Sequence, residues 1–276
     1  MRVVISHFFN EEYLLPWWLR HHREIFDHGV LIDWNSSDAS VEICRELAPD
    51  WEVVPSVNNE FAAIMCDFEI MSHEARFPDA WKLALNTTEF LVAPELARLE
   101  ERLVGKGLIA ARLPAAIMVD DAPDRPPEPS APLVEQKRSG IWEGRVNLDR
   151  LRIPGLRGPA TSRRRVYHRY AVGAYLPGRH RSHLPDQLDV DRLDGAIWWY
   201  GFSPWTDEFK ARKLQIEPRR AEFDRSHRFG AQHQATRAEL DERWSQLNRL
   251  SGPVDERRDR KRLLGLKDRL HDLRRR

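Results

Sequence analysis

The chain has 276 residues, with 44 Lys/Arg against 43 Asp/Glu, and its formal charge of +1 argues against a protein that holds nucleic acid through many unpaired phosphate contacts. A hydrophobic content of 41%, including 10 Trp and 11 Phe, is enough to fill a core and rules out global disorder. No apolar run approaches the ~18 residues that cross a bilayer, and the stretch after Met1 is too short for a signal peptide. Cys44 and Cys66 are the two cysteines, so neither a disulfide framework nor a Cys-rich zinc site is expected. The expectation is a soluble, cytoplasmic protein of one large domain with an appendage.

In chain order, residues 2–7 read as a buried strand. Residues 11–26 place Leu14, Leu15, Trp18, Leu19, His22 and Ile25 at near-helical spacing, with Pro16 tolerated near the start. Val30, Leu31 and Ile32 centre a second strand over 29–34. Ser36-Ser37-Asp38 supplies N-cap chemistry for a helix from about 39 to 47. Residues 51–54 form a third strand. Phe61, Ile64, Met65, Phe68, Met71 and Ala75 mark another amphipathic helix, and 81–85 leads into a fourth strand. Strand–helix repetition implies parallel pairing with right-handed crossovers, hence an α/β sheet.

Further on, 107–118 reads as one long bent strand or two, and the proline-rich, acidic 120–132 as a mobile loop. Strands are expected within 164–175 and 196–200. A helix over 206–214 carries Asp207 and Glu208 in its first turn, which suits the dipole. From Thr236 onward, Leu240, Trp244, Leu247 and Leu250 share one helical face. After Ser251-Gly252-Pro253, so do Leu263, Leu266, Leu270 and Leu273. This pattern predicts a charged helical hairpin and a division into 1–235 and 236–276.

In an open parallel sheet, ligands bind beyond the carboxyl ends of the strands. The strand ends here lead into Asn10-Glu11-Glu12, then Asp33-Trp34-Asn35-Ser36-Ser37-Asp38, then Asn86-Thr87-Thr88-Glu89. None of these is a glycine-rich phosphate cradle, which disfavours a dinucleotide fingerprint and a P-loop. Carboxylates and amides on one sheet edge suit recognition of a nucleotide's base and ribose. Taken singly, each cluster is equally well explained as a helix cap or an ordinary turn.

The stretch from Ile5 to Trp17 with its Asn10-Glu11, then His21-His22, then Asp33-Trp34-Asn35-Ser36-Ser37-Asp38, resembles family 2-type glycosyltransferases. The segment Trp81-Lys82-Leu83-Ala84-Leu85-Asn86-Thr87-Thr88-Glu89-Phe90-Leu91 is similar to the part of that family that carries an Asp-x-Asp motif. The resemblance covers roughly residues 1–95, weakens through 178–183 and 197–216, and is absent beyond about 235. It implies a GT-A-like, Rossmann-related mixed sheet flanked by helices, a nucleotide-sugar donor, and a divalent metal (Mn or Mg) bridging the diphosphate. Carried over by position, Asn10, Glu11, Asp33, Ser36, Asp38, Asn86 and Thr88 are expected to bind the donor.

The chain departs from the pattern where it matters for metal. Asn86 and Thr88 stand where the family places two aspartates, and an amide and a hydroxyl bring no charge to a hard cation. A diphosphate leaving group still needs positive charge, for which Lys82, Arg179, Arg181, Lys210 and Lys213 are candidates. His180 and His183 come after Pro177-Gly178 where the family often supplies a late histidine near the diphosphate. Their i, i+3 spacing on a helical turn would let both ligate a metal; otherwise they are surface loop histidines. Inversion needs a general base, with Glu89, Asp207 and Glu208 as candidates. Trp198-Trp199-Tyr200 and Trp205 suit either an acceptor sugar's apolar face or core packing.

Three functions compete on this reading. The first is a glycosyltransferase acting on a glycan or lipid-linked acceptor. The second is a catalytically inactive GT-A-like domain that binds a nucleotide sugar or a partner, and the third is a metal hydrolase built on His180 and His183. Residues 237–276 carry 13 Lys/Arg and 8 Asp/Glu, an excess of +5. That charge suits packing on the chain's own body, a homodimer through the leucine stripe, or peripheral contact with the inner face of an anionic membrane.

Overall fold

The computed structural model describes residues 1–143, 163–227 and 229–254. The first apolar run forms β1 (Arg2–Phe8), which pairs in parallel with β2 (His28–Asp33) on one side and β4 (Trp81–Ala84) on the other. β3 (Glu52–Pro55) extends the parallel ladder beyond β2. Helices α1 (Leu15–Arg23), α2 (Ser40–Leu47) and α3 (Ala63–Glu74) make the crossovers, as the alternation of strand and helix patterns predicts. Beyond β4 the sheet turns antiparallel through β9 (Arg165–His168) to β6 (Ala110–Leu113), with the short β10 (Leu188–Asp189) at its edge. Its order is β10-β6-β9-β4-β1-β2-β3.

A second, five-stranded sheet has the order β12-β8-β7-β11-β5. Its members are β5 (Glu89–Val92), β7 (Ala115–Val119), β8 (Ser139–Trp142), β11 (Ala196–Phe202) and β12 (Gly252–Pro253). Around the two sheets lie α4 (Leu96–Gly105), the short α5 (Leu133–Gln136), α6 (Asp207–Leu214), α7 (Glu222–Ser226) and α8 (Arg237–Asn248). The molecule is therefore a mixed α/β fold with two mixed sheets flanked by helices.

Of the chain's three passages from the first sheet to the second, the last runs over residues 190–195 from β10 to β11, and two are tighter. One is the turn over residues 85–88, between β4 and β5. The other is Pro114, which splits the 107–118 stretch into β6 and β7 in different sheets. Proline has no N–H for a ladder, while its carbonyl accepts from Ile197 N at 2.8 Å.

Several local expectations are corrected. The expected cap of α2 is met by Asp38 alone, whose Oδ1 accepts from Ser40 N (3.0 Å), the first residue of the helix, while Ala39 holds the N-cap position. Ser36, Ser37 and Asp38 also latch the β2–α2 turn to the β1–α1 turn: Asn10 N donates to Ser36 Oγ (3.0 Å), Ser37 N to Asn10 Oδ1 (2.8 Å) and Glu12 N to Asp38 Oδ2 (3.1 Å). Asn10 and Asn35 both adopt positive φ at these turns, a region Asn tolerates.

The 120–132 stretch is tied down, not loose. Lys137 Nζ donates to Asp120 Oδ1 (2.7 Å), Ala122 O and Arg125 O, and Trp17 and Arg20 reach Glu128 O and Pro129 O.

α3 departs from the usual pattern, although Cys66 and Ile70 are buried. An amphipathic reading buries its apolar stripe, yet Met65 and Phe68 are at least half exposed whereas Asp67, Glu69 and Glu74 are buried. Each buried acid has partners: Arg179 for Asp67, His7 for Glu69, and His168 with Tyr175 for Glu74.

α8 carries a Thr236–Glu239 capping box and buries Leu240 and Leu247 in the main core, with Trp244 stacked on Trp205. The second half of the expected hairpin, with Leu263, Leu266, Leu270 and Leu273, lies outside the described residues. No helix among the described residues is long and apolar enough to cross a membrane.

Candidate functional site

Because β1, β2 and β4 run in parallel, their carboxyl ends share one sheet edge, and a cavity of about 270 Å³ opens there. His7 to Phe9 and Glu11 line it from the end of β1. The 86–88 turn lines it from the crossing into the second sheet, and Cys66 and Asp67 from the start of α3. The far wall is built from Gly178–His180, Trp199 and Phe202 of β11, Arg212 and Lys213 of α6, and Arg243 of α8. Arg163 closes it, its guanidinium 4.2 Å from the centre of the Trp199 ring.

The sheet edge thus collects Arg163, Arg179, Arg212, Lys213 and Arg243 against two carboxylates, Glu11 and Asp67. Both carboxylates are in ion pairs: Glu11 with Arg212, and Asp67 with Arg179. Burial lifts the Glu11 pKa, opposed by Arg212. Burial, together with Arg212, Arg163 and Arg243, pulls Lys213 down to about 7; its Nζ donates to Gly201 O at 2.8 Å. The imidazoles are neutral near pH 7. Burial and then Arg165 and Arg163 hold His180 well below its ordinary value, and burial with Lys213 and Arg212 lowers His233 to about 3. His180 Nε2 therefore accepts from Arg163 (3.1 Å), while its Nδ1–H faces Arg164 O (3.3 Å).

One buried network sets the geometry of this wall. Glu89 accepts from Arg165 Nε (2.8 Å) and Nη2 (2.7 Å), and from Asn86 N (2.8 Å). Arg165 Nη1 in turn donates to Gly178 O at 2.6 Å. Gly178 and Arg179 are both left-handed, with φ of +88° and +61°. That turn presents Gly178 N to Asp67 Oδ2 (2.8 Å) and splays the Arg179 guanidinium between Asp67 Oδ1 and Asn86 Oδ1 (2.7 Å). Glycine adopts such a φ freely, but an arginine is strained there by roughly 1–3 kcal/mol and needs surrounding contacts to hold it.

Of the residues expected from sequence, the structure brings Glu11, Asn86, Thr88, Arg179, His180 and Lys213 to the cavity wall. Asn10, Ser36 and Asp38 lie beside it in the turn latch, and Asp33 accepts from Ser36 N (2.9 Å). Glu89 is buried behind the wall. Asp207 pairs with Arg237 and Lys210 on the exposed first turn of α6, where Glu208 is also exposed.

His183 is exposed. It shares no helical turn with His180, because residues 175 and 182 form an isolated antiparallel bridge around that bend. Lys82 Nζ is spent on Phe77 O and Ala80 O, and Lys210 on Asp241. Trp198, Tyr200 and Trp205 are buried packing residues, whereas Trp199 reaches the cavity.

The reading from sequence missed His7, Asp67, Arg163, Arg212 and Arg243. Burial lowers the His7 pKa; its Nε2 donates to Glu69 (2.8 Å), and its Nδ1 is buried without a hydrogen-bond partner. Ser56 Oγ, Val57 N and Asn58 Nδ2 each donate to Glu69 at 2.7 Å. Although burial acts against its charge, these bonds hold Glu69 at about 2.

The donor set fits an anion, not a divalent metal. At the motif position Asn86 Oδ1 already accepts from the Arg179 guanidinium, as does Asp67 Oδ1 beside it, His180 is ringed by arginines, and no group of three His, Cys, Asp or Glu among the described residues suits a metal.

No protein-family model and no curated protein matches the chain. Among solved structures it is similar to S. aureus TarS (residues 1–349), at 10% identity and a TM-score of 0.38, over 84% of this chain and 70% of that one.

Proposed function

We propose that the chain is a glycosyltransferase that moves a sugar from a nucleotide-sugar donor to a glycan or lipid-linked acceptor. The observation that carries this reading is the cationic cavity at the carboxyl edge of β1, β2 and β4, rimmed by the segments that resemble family 2-type glycosyltransferases. A sugar nucleotide presents negative phosphates beside an apolar ring face. The cavity offers arginines and a lysine beside Trp199, Phe202, Trp34 and Phe9. In the reaction the acceptor oxygen bonds to the anomeric carbon and the bond to the diphosphate oxygen breaks. The electron pair stays on that oxygen and the acceptor's proton passes to a base. Fixed positive charge aimed at the departing diphosphate lowers this barrier most. The metal that the resemblance implies would have to sit at Asn86 and Thr88, whose surroundings do not suit it.

A second reading, binding of a nucleotide sugar without transfer, is favoured by one observation: both cavity carboxylates are engaged with arginines, leaving neither free as a base. Thermal shift against UDP-, GDP-, CMP- and dTDP-sugars, followed by donor-hydrolysis and transfer assays, separates the two. A ligand at a hundred times its Kd stabilises by about 2.7 kcal/mol, or roughly 5–10 °C in a chain this size. Stabilisation with turnover supports the transferase, and stabilisation without turnover supports the binding module. No stabilisation by any sugar nucleotide overturns both.

A further inference from the structure

We infer that Arg179 is a resident cation that replaces a divalent metal in holding the diphosphate; this deepens the nucleotide-sugar reading and rests on it. The guanidinium sits between Asp67 Oδ1 and Asn86 Oδ1, the oxygens a hard cation would use at this place. Asp67's other oxygen accepts from Gly178 N, so the carboxylate is fully committed. Magnesium demands near-octahedral oxygen ligation with anionic donors. Here the nearest acid is already neutralised, and a metal ion would be set against a buried positive charge.

Arg179 is built to stay charged and in place. It is 6% exposed, lines the cavity, and leaves Nε buried with no hydrogen-bond partner. Burial opposes its charge, but Asp67 and Glu89 more than offset that and raise its pKa. The positive φ at residue 179 is held by the two side-chain contacts and by Arg165 on the preceding carbonyl. A planar guanidinium supplies paired donors that match phosphate geometry. As the bond between the anomeric carbon and the diphosphate oxygen breaks, the charge left on that oxygen meets a cation that never has to be recruited.

The test is calorimetric titration of UDP, GDP, CDP and dTDP into the full chain, with EDTA and with manganese, alongside electron paramagnetic resonance of added Mn²⁺. For the nucleotide that binds, EDTA is expected to change Kd less than twofold, with no Mn²⁺ taken up at the site. R179Q, its fold checked by circular dichroism, is expected to weaken binding at least thirtyfold. A tenfold loss on chelation, stoichiometric Mn²⁺ uptake with the nucleotide, or R179Q binding within threefold of wild type would each overturn the inference while leaving the donor reading intact. If R179Q fails to fold, the wild-type chelation and Mn²⁺ arms decide alone. Binding of no nucleoside diphosphate under any condition overturns the donor reading and this inference with it.

Discussion

Replacing Glu89 by glutamine removes one of two opposite charges that are buried together. Both Glu89 and Arg165 side chains are 1% exposed, and the fork between them has contacts of 2.7 and 2.8 Å. Breaking such a pair from one side strands a buried charge at a cost of about 3–5 kcal/mol. Glutamine keeps one acceptor oxygen, so the lower end is expected, roughly 3 kcal/mol, or ~6–12 °C in melting temperature. The damage reaches the cavity, because Glu89 also holds Asn86 N and Arg165 holds Gly178 O. Thermal and urea unfolding of E89Q, R165L and the double variant check this. The double variant, with no stranded charge, should be more stable than the two single losses summed. A melting temperature within 1 °C of wild type, combined with abolished turnover, would refute the argument and restore Glu89 as a general base.

The same geometry sets other outcomes. The unfolded chain keeps Lys213 protonated up to about pH 10.5, whereas the folded chain releases that proton near 7. Stability from this group therefore rises with pH across that window, and K213M should flatten the rise in urea titrations at pH 6, 8 and 9.5. His233, ordinarily near 6.5 and lowered to about 3, has the same sign lower down: stability falls as pH drops from about 6.5 toward 3, and H233Q should shift the acid-unfolding midpoint downward. At Gly29 an added Cβ would lie 2.1 Å from the Trp51 ring, so G29A should cost about 1–3 kcal/mol of overpacking, read by denaturant midpoint. R163A should weaken sugar-nucleotide binding with little loss of melting temperature, and, because Arg163 helps lower Lys213, should move the loss of binding on raising the pH to higher pH.

The parallel half of the fold was legible because β1 to β4 are short apolar runs ended by Asn, Asp and Ser, and period and punctuation agree there. α4 carries an equally plain signal, with Leu96, Leu99 and Leu103 on one face, but the strand-and-helix reading assigns nothing to it. The split at Pro114 was half legible: proline marks a break, but nothing local says that the two pieces enter different sheets. The cavity residues divide in the same way. Glu11, Asn86 and Thr88 come directly after strand ends, where an open sheet binds its ligands. Asp67 lies on the buried face of α3 with Cys66 and Ile70, while Met65 and Phe68 point outward, so the apolar period does not mark the face that lines the cavity. Arg163, Arg212 and Arg243 come from distant segments whose basic residues look like any solvated face, and tertiary packing alone brings them together.

A structure of the chain with an intact sugar nucleotide tests the central claim most directly. The account predicts the diphosphate inside the cavity at the carboxyl edge of β1 and β4, its oxygens within hydrogen-bonding distance of Arg179, with Lys213 or Arg163 beside them. A nucleotide seated elsewhere, for instance on the open face near Trp205 and Trp244, or a diphosphate held through a metal ion at Asn86, would contradict it.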